Sequence, residues 1–99
     1  MVLTVLEAVV AEDRTADLVA AYRSAGTKLP PGLLHTDLLR ASDASGRWRI
    51  QSYWANRGAL DAMRAAGTPA GVLMFRAAGA EPALSVFEVA ASLGTNLER

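Results

Sequence analysis

Apolar positions along the chain follow two periods, one of strands and one of helices. From Val2 to Glu12 they fill both alternating sets (Val2, Leu3, Val5, Leu6, Val9, Val10), the pattern of a strand covered on both faces. Glu7 interrupts it, and a carboxylate there needs a partner or a wet neighbourhood. Arg14-Thr15-Ala16-Asp17 then opens a helix. Thr15 can cap it, and Asp17 in the first turn complements the helix dipole. Leu18, Tyr22, Ala25 and Leu29 recur at helical spacing with Val19 beside them, until Pro30-Pro31-Gly32 forbids continuation.

Two strands follow, Pro31 to Arg40 and Arg47 to Trp54, dense in Leu, aromatic and β-branched residues. Asp43-Ala44-Ser45-Gly46 lies between them, where a tight turn needs residues that tolerate unusual backbone angles. Asn56 can cap a second helix, with Leu60, Met63, Ala59 and Ala66 on its apolar side and Gly67 as its stop. Thr68-Pro69 restarts the chain, with Pro expected at the first helical position and a short helix over Val72-Leu73-Met74-Phe75. A last strand is expected from Ala83 to Leu93. The pattern makes residues 1–93 a single domain and 94–99 a tail with little to bury.

The order β-α-β-β-α-β predicts an α+β, ferredoxin-like fold with a four-stranded antiparallel sheet. Two helices cover one face of such a sheet, yet every strand carries apolar residues on both sets. The other face is therefore expected to meet a second copy, making a homodimer with a cavity between the sheets. A chain of 99 residues that is 52% hydrophobic points the same way, because small domains bury a modest share of their surface. Zero net charge argues against a nucleic-acid or anionic-membrane binder. The absence of cysteine excludes disulfides and thiolate nucleophiles. One His and no Cys build no usual metal site, and no glycine-rich phosphate loop follows a strand, so no cofactor is expected. The apolar start lacks a basic region and no run spans a bilayer, so a cytoplasmic protein is expected.

Pro31-Gly32-Leu33-Leu34 at the start of one strand, Leu39-Arg40 at its end, Ser52-Tyr53-Trp54 with Leu60 six residues on, and Thr68-Pro69 occur here in a familiar order. In these markers the chain resembles the antibiotic biosynthesis monooxygenase family of the dimeric α/β-barrel superfamily, whose members include cofactor-free quinone-forming oxygenases and haem-degrading enzymes. The resemblance implies an active-site Asn four residues before the strand-end Trp, where this chain has Ile50, with the Trp kept as Trp54. It implies a helical Tyr where Leu60 stands and an Arg that Arg76 supplies across a small gap. The haem-degrading relatives need an Asn where Glu7 stands, a helical Trp where Met63 stands and a His near the short helix, where there is none.

The expected function is thus a cofactor-independent monooxygenase acting on a small aromatic, phenolic or quinol-like substrate in an apolar cavity. The alternative is a dimeric module that binds a small apolar molecule without chemistry. His35, the one side chain that normally titrates near neutral pH, and Glu7 are candidate bases; Arg76 is a candidate anion-stabilising donor. Trp54, Ile50, Ser52, Leu60 and Met63 are candidate substrate contacts. Each candidate also has a structural role open to it: Trp54 as a core anchor, His35 as a satisfied strand residue, Glu7 in an ion pair with a neighbouring Arg, Arg76 on a solvated helix face. Placing Trp48, Ile50, Ser52 and Trp54 toward a cavity between sheets would turn Arg49, Gln51 and Tyr53 toward the helices, a costly place for Arg49.

Overall fold

The computed structural model describes residues 1–94; the expectation for the tail beyond Gly94 lies outside the described residues. The elements are β1 (Val2–Val9), a single 3-10 turn (Glu12–Arg14), α1 (Thr15–Ala25), β2 (Leu33–Arg40), β3 (Arg47–Trp54), α2 (Arg57–Ala65), α3 (Ala70–Ala77) and β4 (Ala83–Glu88). The strands form one antiparallel sheet in the order β2-β3-β1-β4, the ferredoxin-like arrangement the element order predicts.

Local chemistry explains most boundaries. Asn56 accepts a 2.9 Å hydrogen bond from the Ala59 N–H and caps α2. In the β2–β3 turn, Asp43 accepts from the Ser45 N–H, while Ala44 and Gly46 take positive φ. Other boundaries differ from expectation. Arg14, not Thr15, occupies the N-cap of α1; the 3-10 turn leads directly into the helix, and the Thr15 hydroxyl donates back to the Glu12 carbonyl. α1 stops at Ala25 rather than Leu29, because the Lys28 N–H turns back to the Ala25 carbonyl and leaves Leu29 exposed. Pro69 is the N-cap of α3 rather than its first helical residue. β1 ends at Val9, where the Val10 N–H instead reaches the Gly46 carbonyl; β4 ends at Glu88, opposite Val2 where β1 begins, with one further bond from the Val89 N–H to the Met1 carbonyl at 3.1 Å.

All helices lie on one face of the sheet. That face carries Leu6, Trp48 and Ile50, which pack with Leu18 of α1 and Phe75 and Ala78 of α3 into one buried cluster. Val2 and Trp54 pack with Leu60 of α2 into another. Leu18, Leu60 and Phe75 are fully buried, and burying each stabilises the fold by about 1.5–3 kcal/mol. Arg14 ties the α1 end to α3 by donating to the Ala77 carbonyl at 2.6 Å, where the helix leaves its last carbonyls unpaired. The Arg40 guanidinium lies 5.2 Å from the Trp48 ring centroid, and the buried Trp48 Nε1 has no partner among the described residues.

The opposite face carries Leu3, Val5, Glu7 and Val9 from β1, Arg49, Gln51 and Tyr53 from β3, His35, Asp37 and Leu39 from β2, and Ser85 and Phe87 from β4. Arg49 therefore does not turn toward the helices. It pairs with Glu7 directly across the strands, its Nε and Nη2 both donating to Oε2 at 3.2 and 3.1 Å. A bulge between Leu33 and His35 keeps Thr36 and Leu38 on the helix side.

Candidate functional site

The two apolar clusters do not meet completely. Between them lies a cavity of about 220 Å³, bordered by Leu6 and Ile50 from one and Trp54 and Leu60 from the other. It lies between the sheet and the helices, not between two sheets as expected from the doubly apolar strands. The helices arch over this part of the sheet without filling it. Gly71 of α3 is one reason for the close roof, since a Cβ there would stand 2.6 Å from Leu6 Cδ1.

The floor carries a row of hydroxyls. Thr4 of β1, Ser52 of β3 and Thr36 of β2 are register partners at one level of the sheet. Thr36 Oγ1 and Ser52 Oγ are 3.1 Å apart and hydrogen-bonded, and the Tyr22 hydroxyl of α1 donates to Thr36 Oγ1 at 3.3 Å. The buried Trp54 indole N–H donates to Thr4 Oγ1 at 3.1 Å. All five side chains line the cavity, along with Met63 and the rim residues Lys28, Leu29 and Arg64. Among the described residues, no carboxylate and no histidine lines the cavity.

Of the residues singled out from sequence, Trp54, Ile50, Ser52, Leu60 and Met63 come together in this cavity. His35, Glu7 and Arg76 do not. His35 and Glu7 are on the far face of the sheet, where Glu7 is held by Arg49 with Arg47 at 3.8 Å. His35 Nε2–H donates to Asp37 Oδ2 at 3.0 Å; residues two apart on one strand face stand about 7 Å apart along the backbone, and these two side chains lean together. Arg76 sits at the exposed end of α3, clamped on Glu81 by two bonds of 2.9 and 3.0 Å. Those bonds raise the Arg76 pKa above its ordinary value and lower that of Glu81.

The hydroxyl row and the rim cations went unrecognised from sequence. A signal for the row exists: Thr4, Thr36 and Ser52 are small polar interruptions of apolar strand faces, and each alone is unremarkable. Only the register lines them up.

A sheet roofed by three helices over an apolar, hydroxyl-floored cavity defines a ferredoxin-like α+β domain. The antibiotic biosynthesis monooxygenase family model matches residues 1–68, and the chain belongs to that family. A search among curated proteins finds no match. Among solved structures, a candidate antibiotic biosynthesis monooxygenase from Deinococcus radiodurans is similar with a TM-score of 0.73 at 15% identity, over 97% of this chain and 99% of that one. SnoaB, a cofactor-independent oxygenase from Streptomyces nogalater, has a TM-score of 0.72 at 18% identity, over 95% and 97% of the two chains. A variant of MhuD with two manganese protoporphyrin IX molecules per active site has a TM-score of 0.70 at 20% identity, over 96% and 100%. At these identities the likeness concerns the fold. Among the described residues no helix is long and apolar enough to cross a membrane.

Proposed function

We propose that the protein is a cofactor-independent monooxygenase that oxidises a small phenolic or quinol-like substrate held in the cavity between sheet and helices. The observation that carries this reading is the hydroxyl chain Tyr22–Thr36–Ser52 on the floor of an otherwise apolar cavity. Family membership and the fold shared with SnoaB support it.

The chemistry belongs largely to the substrate. A methylene activated by an adjacent phenolic ring system loses a proton and gives a delocalised carbanion. The carbanion takes up dioxygen to form a C–O bond, the resulting peroxide is protonated, and its O–O bond breaks. One oxygen stays as the new carbonyl and the other leaves as water with the second hydrogen. Ser52 and Thr36 would hydrogen-bond the substrate oxygen on which the negative charge gathers, and the chain to half-buried Tyr22 would pass a proton along. Trp54, Ile50, Leu60 and Met63 would hold the ring and exclude water. Haem does not suit this cavity: its lining supplies no axial His, and the one histidine is on the opposite sheet face.

A second copy of the chain would cover the far face, where Val9, Leu39 and Phe87 are exposed, making the homodimer expected from sequence. A second functional reading, a binding module without chemistry, is favoured by one observation, that no carboxylate or histidine lines the cavity among the described residues.

Oxygen uptake with a panel of anthrones, whose activated methylene becomes the new carbonyl, separates the two. The oxygenase reading expects uptake above the buffer rate, one dioxygen per quinone, reduced by about 10²–10³-fold in Ser52→Ala, the usual loss when an oxyanion donor is removed. Unchanged autoxidation in the presence of protein that binds the same compounds would leave only the binding module.

A further inference from the structure

The charges around the cavity are not arranged like those elsewhere on the chain. Arg14, Arg40, Arg47, Arg49, Arg57 and Arg76 each form an ion pair with a carboxylate. Arg23, Lys28 and Arg64 have no such partner among the described residues, and two of these three, Lys28 and Arg64, line the cavity. Both are exposed, which places them at its rim, while Ile50, Ser52, Trp54 and Leu60 on its walls are buried. They come from different parts of the chain, the turn after α1 and the end of α2, and converge on one opening. With no carboxylate lining the cavity among the described residues, a chain of zero net charge presents a locally cationic mouth.

From this we infer that the cavity selects ligands with an apolar ring body and an anionic oxygen head, the ring lying between Leu6 and Ile50 on one side and Trp54 and Leu60 on the other, and the head paired with Lys28 and Arg64. The inference rests on the cavity being the ligand site, and it names the class of ligand that site takes. An ammonium and a guanidinium left without internal partners keep their full attraction for an incoming carboxylate or ionised phenol. The apolar interior sets no charge preference of its own, so the rim decides between neutral and ionised forms of one ring system. The same two cations would favour the ionised form of a phenolic substrate at the mouth, which suits a cavity lined by no carboxylate or histidine among the described residues.

Titration calorimetry with 2-naphthoate and its neutral isostere 2-naphthamide tests this at pH 7, where the acid is fully ionised. The wild-type chain should bind naphthoate about 10-fold more tightly at low salt, the scale of two partly exposed charge contacts. Raising the ionic strength from 0.01 to 0.15 M shortens the screening length from about 30 to about 8 Å and should shrink the preference. Lys28→Met with Arg64→Met should bring the two ligands within about 2-fold by weakening naphthoate alone, while Arg23→Met, at a cation that does not line the cavity, should retain the preference. Both positions are exposed, so folding is checked simply by an unchanged circular dichroism spectrum and melting curve. Equal binding of the two ligands to wild type, or a preference surviving in the double variant, overturns the inference while leaving the cavity as a ligand site. Binding of neither overturns both. A naphthoate preference that depends on Lys28 and Arg64 stands even where no oxygen uptake is found, so the catalytic reading can fall without it.

Discussion

Replacing Trp54 by Phe removes one hydrogen bond and part of one ring from the boundary between core and cavity. Trp54 and Thr4 are both buried, and the indole N–H lies 3.1 Å from Thr4 Oγ1. The lost bond costs about 0.5–1.5 kcal/mol net. The missing part of the indole costs a further ~1–2 kcal/mol, a share of the 3–5 kcal/mol typical of truncating a buried aromatic to Ala. The sum is about 1.5–3.5 kcal/mol, and at roughly 4–8 °C per kcal/mol for a domain of this size Tm should fall by about 6–28 °C. Thr4→Val leaves the shape nearly unchanged but strands the indole N–H, for about 1–2 kcal/mol. In the double variant neither polar group is left unpaired, so the combined loss should be smaller than the sum by about 1 kcal/mol. Urea denaturation of the four proteins at one fixed protein concentration measures this cycle, the concentration being held because association shifts apparent stability. Additivity within about 0.5 kcal/mol would refute the claim that these two groups depend on each other.

Three further outcomes follow from the geometry. The Asp43 carboxyl is held at a pKa of about 2 by the Ser45 hydroxyl first, then the Ser45 N–H and Arg47. Its folded pKa lies below the unfolded one, so its contribution is present above about pH 4 and lost as pH falls toward 2; a carboxyl carbon NMR titration with a midpoint near 4 would contradict it. Gly32→Ala forces a side chain onto φ +82° and drives its Cβ into Ala59 Cβ, so thermal melting should show a loss of about 2–4 kcal/mol, and a neutral result would mean α2 sits further from this turn. Phe87→Glu places a charge on the exposed sheet face, and light scattering at micromolar concentration should show a homodimer converted to monomer; a wild type that is monomeric under the same conditions would remove the proposed partner copy.

Element order, the cap of α2 and the β2–β3 turn were legible in the residues because each depends on near neighbours, whereas the starts of α1 and α3 each fell one residue away from the expected position. Asn56 needs only Ala59, and the Asp43–Gly46 turn only its own four positions. Strand alternation was also legible, and it sorted Trp48, Ile50, Ser52 and Trp54 onto one face of β3 and Arg49, Gln51 and Tyr53 onto the other. What alternation cannot contain is which of two apolar faces the helices cover. That is decided by the packing of Leu18, Leu60 and Phe75 against the sheet, contacts between residues far apart in sequence. The choice moved the cavity to the helix side, joined Trp54 with Ser52 and Met63, and left His35 and Glu7 on the opposite face. The hydroxyl row needed one thing more, the register: Thr4, Ser52 and Thr36 become neighbours only when three strands align to the residue. Lys28 and Arg64 likewise acquire a shared meaning only when two separate helix ends arrive at one opening. Local preferences act over a few residues, while a site is assembled by contacts across the whole chain.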